Sequence, residues 1–141
     1  MNAEYFAGFI DGEGTIAIRK QQHGKYFAAK LEAANTNRAV LEELASIYGG
    51  KVRATKRRQP NHKQVYSWVV TGEKMREALK QLIPYLRIKK VQAISVLEAS
   101  QIFASRKFGN GRRYHGLRVP YPARVYELYE IVQLLNRRGL T

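Results

Sequence analysis

The sequence has 141 residues, of which 45% are hydrophobic, so it is long enough for one compact domain with its own core and is not of disordered composition. Its 25 Lys and Arg residues against 11 Asp and Glu residues give a net charge of +14, which points to a polyanionic partner, most simply nucleic acid. The absence of cysteine excludes a disulfide framework and a thiolate metal site.

The first predicted element is a helix from Glu4 to Asp11, followed by a glycine-rich turn. The small pair Ala7-Gly8 would let a second helix approach closely, and Gly12 and Gly14 are predicted to end the helix because glycine tolerates the left-handed conformation. Glu13 would then lie near a helix C-terminus, where the dipole disfavours negative charge and a bound cation would stabilise it. The alternative is an ordinary amphipathic helix with a glycine-rich turn.

Two predicted β-hairpins follow, one before and one after a second helix. Thr15 to Gln21 and Tyr26 to Ala34 alternate apolar and polar side chains, which predicts strands with one buried face. The second hairpin is predicted to pair Lys51 to Thr55 with Gln64 to Thr71. In it we assign Val52, Val65 and Val69 to the core face and Arg53, Tyr66 and Trp68 to the other face. If the strand parity is off by one, Trp68 belongs to the core instead.

The remaining predicted elements are helices. The helix between the hairpins begins at the capping residues of Asn35-Thr36-Asn37 and stops at Gly49-Gly50. After the second hairpin, a short predicted helix is broken by Pro84. A long helix is predicted from Ile88 to about Ser105, and its apolar positions include Val91, Ile94, Leu97 and Phe103. A last helix is predicted from Ala123. Two hairpins in one antiparallel sheet with helices on one face make an α+β domain with a free, basic sheet face.

The basic residues are concentrated in three stretches that contain no acidic residue. These stretches lie between Glu13 and Glu32, between Glu43 and Glu73, and between Glu98 and Glu127. A single basic run is usually a solvated face, but three of them in one small domain favour a continuous binding surface. A twisted antiparallel ribbon fits the major groove of DNA, where base edges are distinguishable.

The nine residues from Phe6 to Gly14, FAGFIDGEG, resemble the signature of the LAGLIDADG homing endonucleases. No second copy of the motif is present, as in the single-motif members, which act as homodimers. The resemblance implies one LAGLIDADG endonuclease domain over residues 1–141, with αββαββα order and a four-stranded antiparallel saddle sheet. It also implies a dimer interface across a two-fold axis, formed by Tyr5, Phe6, Ala7, Gly8, Phe9 and Ile10.

The resemblance further implies a site-specific endonuclease that hydrolyses both strands of a long pseudo-palindromic DNA site across the minor groove and leaves short 3′ overhangs. Glu13 occupies the place of the motif's last acid, often aspartate, and would bind the metal together with the Gly12 carbonyl, whereas Asp11 is interpreted as structural. Mg²⁺ suits such oxygen ligands. Mn²⁺ is expected to substitute, and Ca²⁺ is expected to bind without supporting cleavage.

Two more residues are assigned to catalysis by the resemblance. The segment from Gln81 to Lys90 is similar to the family's run of proline, aromatic, leucine and paired basic residues, and Lys89 matches the active-site lysine, which would stabilise phosphate charge or position water. The alternative is a plain surface lysine. Asn35 aligns with a glutamine that orders solvent near the metal, or it only caps the following helix.

For base readout we assign polar and aromatic residues of the two hairpins, with phosphate contact as the alternative for each. These residues are Arg19, Gln21, His23, Lys30, Arg53, Arg57, Gln64, Tyr66 and Trp68. The histidines at positions 23, 62 and 115 have no metal-ligand spacing and are interpreted as loop or surface groups.

Two other functions stay open from sequence. One is a non-catalytic module on the same fold, either an intron maturase with RNA as its partner or a DNA-binding regulator. The other is a basic structural protein of the ribosome or nucleoid. Retention of Glu13 and Lys89 favours the enzyme. Without a secretory pattern or a membrane-length apolar run, we expect an intracellular protein with no membrane partner, in the cytoplasm, the nucleoid or an organelle matrix.

Overall fold

The computed structural model describes residues 2–21, 26–55, 61–105 and 121–137. These residues form helices and strands in the order α1 (Ala3–Glu13), β1 (Gly14–Gln21), β2 (Tyr26–Asn35), α2 (Arg38–Tyr48), β3 (Lys51–Ala54), β4 (Tyr66–Val70), α3 (Gly72–Leu82), a 3₁₀ turn (Ile83–Tyr85), α4 (Lys90–Ser105) and α5 (Ala123–Leu135). No helix in this part of the chain is both long enough and apolar enough to cross a membrane.

The four strands form one antiparallel sheet in the order β1-β2-β4-β3. The two hairpins therefore meet along β2 and β4, where Leu31 pairs with Val70 and Ala33 with Trp68. The predicted α+β fold with a four-stranded antiparallel sheet is confirmed.

The two faces of the sheet differ in burial. The face covered by the helices carries Ile16, Ile18 and Leu31, all of them buried, and they join the side chains of α1 to α5 in one core. On the opposite face Arg19, Gln21 and other polar side chains are exposed. We call this opposite side the open face; the strand register places on it Thr15, Ala17, Arg19, Gln21, Tyr26, Ala28, Lys30, Glu32, Ala34, Lys51, Arg53, Ser67 and Val69.

The predicted parity of β4 was wrong. Trp68 is fully buried on the core face, where it pairs with Ala33 of β2 and Val52 of β3. Its indole Nε1–H donates to the Gly49 carbonyl at 2.8 Å, so its polar atom is satisfied inside the core. Val69 lies on the open face instead. In the run YSWVV one parity carries Tyr66, Trp68 and Val70 and the other carries Ser67 and Val69, so each has an apolar side chain and alternation alone did not fix the orientation of β4.

The long helix α4 also differs from prediction. Val91 and Ile94 are about half exposed, at 55% and 48%, although both were assigned to the apolar side. The buried positions of α4 are instead mostly small: Gln92, Ala93, Ser95, Val96, Ala99 and Ser100. Because α4 packs against α3, α5 and the sheet, small side chains allow these neighbours to approach it closely.

Helix α1 ends later than predicted and for a different reason. Gly12 is helical, and Gly14 has φ −91°, so neither end residue uses the left-handed conformation. Gly14 is required by space, since a Cβ there would lie 2.7 Å from the Ile10 carbonyl oxygen. The lack of a side chain thus lets β1 leave directly from the end of α1.

Candidate active site and nucleic-acid surface

The C-terminus of α1 is joined to the N-terminus of α4 by Asp11. Its carboxylate accepts three consecutive backbone amides: those of Arg87 at 2.8 Å, Ile88 at 3.2 Å and Lys89 at 3.0 Å. These amides belong to the three residues immediately before α4, where the dipole of the helix favours a negative charge. Asp11 therefore joins the end of α1 to the segment that leads into α4, in agreement with its interpretation as a structural residue.

Lys89 makes the complementary contact. Its Nζ donates to the carbonyl oxygens of Asp11 at 2.7 Å and Ile10 at 3.2 Å, both at the end of α1. Burial lowers the pKa of Lys89 from its ordinary value, and the negative charges of Asp11 and Glu13 partly oppose this shift. Lys89 is therefore not a freely solvated surface lysine, and it lies close enough to Glu13 to interact with its charge.

Glu13 is the last residue of α1, and both it and Gly12 are exposed. Lys89 donates to the carbonyls of Ile10 and Asp11, and the Gly12 carbonyl follows them at the same end of the helix. A carboxylate and a carbonyl are oxygen donors of the kind that Mg²⁺ prefers, together with water and phosphate. These residues fit such an ion.

Among the described residues no group of three or more His, Cys, Asp or Glu side chains is placed to hold a metal ion. Mg²⁺ often uses one or two protein carboxylates and takes its other ligands from substrate phosphates and water. The arrangement at Glu13 is therefore compatible with an ion completed by a second copy and a phosphate.

Asn35 lies at the same end of the sheet as Glu13. Gly14, the residue after Glu13, pairs with Ala33, and Ala33 precedes Asn35 by two residues. Its Oδ1 accepts the backbone N–H of Asn37 at 2.8 Å, and Asn37 in turn caps α2. Asn35 thus shapes the turn that starts α2, while the assignment of Asn35 to catalysis stays a prediction.

Several residues assigned to DNA lie where the sequence placed them. Arg19, Gln21 and Arg53 are exposed on the open face. Lys30 lies on the same face and forms an ion pair with Glu32 at 3.2 Å. His23 and Arg57 lie outside the described residues.

Three other assignments require correction or revision. Trp68 is buried in the core and cannot contact DNA. Tyr66 lies on the core face too, partly buried beneath the Arg38 guanidinium, so its predicted place on the open face was wrong. The Gln64 Nε2 donates to the carbonyls of Thr55 and Val65 and so holds the second hairpin together.

The residues assigned to a dimer interface separate into two sets. Phe6, Ala7 and Ile10 are fully buried within one chain, so their assignment was wrong. Helix α1 is amphipathic, and these three face its own core. Tyr5 and Gly8 are exposed and Phe9 is partly exposed, so these three are available to a partner.

The structure also reveals candidate residues that the sequence assignment missed. Ile88, whose N–H donates to Asp11 in α1, is exposed, and so is Val91 three residues later. Lys51 lies on the open face in alternation with Arg53. Lys51 could have been found from sequence, because residues two apart on a strand share a face. Ile88 and Val91 could not have been found from sequence, because their spacing is that of apolar residues on the side of a helix that faces the core.

Comparison with known proteins gives one family match. A sequence model described as LAGLIDADG endonuclease matches residues 6–96. The matched range includes most of α1, both hairpins and the start of α4. No curated protein matches the chain at a significant level.

Solved structures share the fold of the whole chain. The homing endonuclease I-CvuI was solved in complex with DNA, once in the presence of Mg and once in the presence of Ca. Its Mg structure superposes with a TM-score of 0.69 at 24% identity, and the superposition covers 99% of this chain and 85% of that one. The archaeal intron-encoded homing endonuclease I-Vdi141I, also complexed with DNA, gives 0.67 at 23% identity, with 97% and 85% covered. I-SmaMI bound to cleaved DNA gives 0.69 at 17% identity, and this chain spans 45% of its length. At these identities the similarity establishes the fold.

Proposed function

The chain belongs to the LAGLIDADG endonuclease family, and on that premise we propose that it is a metal-dependent, site-specific endonuclease that cuts double-stranded DNA as a homodimer. The observation that carries the proposal is the exposed Glu13 carboxylate at the end of α1, held next to the half-buried Lys89. We further propose that residues 1–141 act as one domain.

Duplex DNA is the substrate that fits the open face. The face is the outer surface of a four-stranded antiparallel sheet, and Arg19, Gln21 and Arg53 are exposed on it. With a net charge of +14, the protein would gain affinity for any duplex by releasing counterions from its phosphates. Lys30, His23 and Arg57 remain proposed contacts. The DNA complexes of I-CvuI and I-Vdi141I support this assignment.

The surface proposed for dimerisation begins at the exposed side of α1 and continues onto α4. Tyr5 is 56% exposed, and Gly8 leaves the backbone open to a partner, since a Cβ placed there would have no neighbouring atom within 4 Å. Ile88, whose N–H bonds to Asp11, is 62% exposed, and Val91 follows one turn later. Exposed apolar side chains of this kind on adjoining elements favour contact with another protein surface. Two α1 helices packed there across a two-fold axis would bring both Glu13 carboxylates together.

Within this dimer each residue has a distinct task. Glu13 and the Gly12 carbonyl would hold a divalent ion, with Mg²⁺ the proposed ion. When bound, that ion supplies charge stabilisation at the phosphate and activates water. Lys89, fixed by two carbonyls, would place a positive charge next to the scissile phosphate, where a preorganised cation stabilises developing negative charge. Asp11 would hold both helices in register.

The finer features of the reaction follow from the family and stay proposals: a long pseudo-palindromic site, cleavage across the minor groove, and short 3′ overhangs. The structures of I-CvuI in the presence of Mg and of Ca support the use of a divalent ion. Replacement of Mg²⁺ by Mn²⁺ should retain cleavage, and replacement by Ca²⁺ should retain binding only.

The experiment that tests the proposal is cleavage-site selection from a random duplex DNA library in Mg²⁺, with Glu13→Gln run in parallel. Recovery of one near-palindromic site, cut only by the unaltered protein, is the expected result. Cleavage by both proteins would indicate a contaminating nuclease or another catalytic group. Tight binding without cleavage by either protein would overturn the proposed endonuclease activity and favour a DNA-binding regulator. If folded intron RNA were then bound better than duplex DNA, the result would favour an intron maturase.

A further inference from the structure

A cavity of about 570 Å³ lies at the corner where the second hairpin meets α3. Its walls come from both strands of that hairpin and from the first turn of α3. The polar side chains that line it are Lys51, Arg53, Ser67, Thr71 and Lys74. Lys51, Arg53 and Ser67 belong to the open face of the sheet, so the cavity is continuous with that face.

The cavity has three cations and no carboxylate in its lining. None of Lys51, Arg53 and Lys74 takes part in an ion pair within the described parts of the chain. The nearest acids of α3, Glu73 and Glu77, line a different cavity on the other side of Lys74. Like charges gathered without a counter-ion repel one another, and an anion bound among them would relieve that repulsion.

Gly49 leaves room for the Lys74 side chain. A Cβ at Gly49 would lie 2.6 Å from the Lys74 Cδ, so the aliphatic part of Lys74 passes directly over this glycine. Gly50 contributes to the cavity wall itself and has no room for a side chain, since a Cβ there would be 2.5 Å from the Val69 carbonyl oxygen. Both glycines are at positive φ.

We propose that this cavity is a phosphate-binding subsite for the backbone of duplex DNA. Lys51, Arg53 and Lys74 would supply charge, and the hydroxyls of Ser67 and Thr71 would donate hydrogen bonds. The inference rests on the proposed function, because the phosphate is taken to belong to the same duplex that lies on the open face.

The strand register indicates which phosphate would be bound. Lys51, Val69, Glu32 and Thr15 form one row across the four strands. Because neighbouring strands are about 4.8 Å apart, Lys51 is about 14 Å from Thr15 at the other end of this row. Thr15 follows Glu13 by two residues. That distance is about four base pairs of helical rise along one strand. The subsite would therefore grip the DNA a few nucleotides from the bond that is cut.

The test compares Lys51→Gln, Lys74→Gln and their double variant with Lys80→Gln. Lys80 is a matched control because it is also on α3, but it is exposed and paired with Glu77 at 3.4 Å. The measured quantity is the dissociation constant for a duplex of arbitrary sequence and about 30 base pairs, over about 50 to 200 mM salt. Unchanged circular dichroism and melting temperature would verify that each variant is folded.

Each lost phosphate contact is expected to reduce, by about 0.9, the magnitude of the slope of the logarithm of the association constant against the logarithm of the salt concentration. It should also weaken binding about tenfold near 0.1 M salt. The slope and the affinity of Lys80→Gln should equal those of the unaltered protein. Folded variants whose slopes equal that of Lys80→Gln would overturn the subsite while leaving the proposed function intact. If the unaltered protein binds no duplex under any of these conditions, the proposed function fails, and the subsite with it.

Discussion

Asp11 and Lys89 make reciprocal contacts between the end of α1 and the approach to α4. The Asp11 carboxylate accepts the amides of the three residues just before α4, and the Lys89 ammonium donates to two carbonyls at the end of α1. Each charge has the sign that the opposing helix dipole favours. Because Glu13 follows Asp11 by two residues, the same contacts that stabilise the fold also fix the position of the proposed catalytic groups.

Replacing Asp11 by alanine should therefore destabilise the protein. The three amides would lose their acceptor, and loss of a capping side chain costs about 1 to 2 kcal/mol. Urea denaturation would measure the free energy of unfolding. Glu130→Ala, an exposed position on α5, is the control and should change it by less than about 0.5 kcal/mol. Equal stability of the two variants would show that water replaces the cap.

The titration of Lys89 should respond to Glu13. Burial lowers the pKa of Lys89 from 10.5, while the charges of Asp11 and Glu13 raise it, so Glu13→Gln should lower it further. NMR titration of the Lys89 Cε resonances would measure the change, with Glu130→Gln as the control. A pKa that rises or stays constant in Glu13→Gln would contradict the placement of the two groups.

The same shift predicts the effect of pH on stability. Between the folded and unfolded pKa values of Lys89 the folded chain binds fewer protons than the unfolded chain. The contribution of Lys89 to the free energy of unfolding should therefore increase with pH through this alkaline window, up to the unfolded value near 10.5. Denaturation at several alkaline pH values should show this rise in the unaltered protein and a smaller one in Lys89→Gln.

Gly8→Leu should separate folding from dimerisation. A Cβ added at Gly8 would meet no atom within 4 Å in one chain, and leucine favours a helix over glycine by about 1 kcal/mol. The isolated chain should thus be at least as stable, whereas two α1 helices could no longer approach closely. Sedimentation should show a monomer, with cleavage lost. Glu130→Leu should stay dimeric, and a dimeric Gly8→Leu protein would place the interface elsewhere.

Trp68→Phe should affect stability and leave DNA binding unchanged. The variant loses the hydrogen bond from Nε1 to the Gly49 carbonyl, which costs about 1 to 2 kcal/mol in a buried setting. Because Trp68 is in the core, the salt dependence of DNA affinity should match that of the unaltered protein, while Arg53→Gln should lower the slope. Weaker DNA binding at unchanged stability would contradict the buried position.

Sequence alone determined the class of fold and the location of the proposed site. Ile16 and Ile18 share one parity of β1, and Thr15, Arg19 and Gln21 share the other, which set the orientation of the strand because burying the large apolar side chains requires the first parity to face the core. The motif ending at Glu13 is a local pattern with fixed spacing, so it could be identified before any contact was known. The excess of positive charge likewise indicated a nucleic-acid partner without a structure.

The tertiary structure decided what depends on partners distant in sequence. Trp68 is buried because its neighbours across the sheet are Ala33 and Val52, and a short strand with an apolar side chain at each parity takes its orientation from those neighbours. Val91 is exposed because small residues of α4 face the core instead. The hydrogen bonds that Asp11 accepts just before α4 join residues 76 to 78 positions apart. Such contacts are set by how the elements pack, and local periodicity carries no information about them.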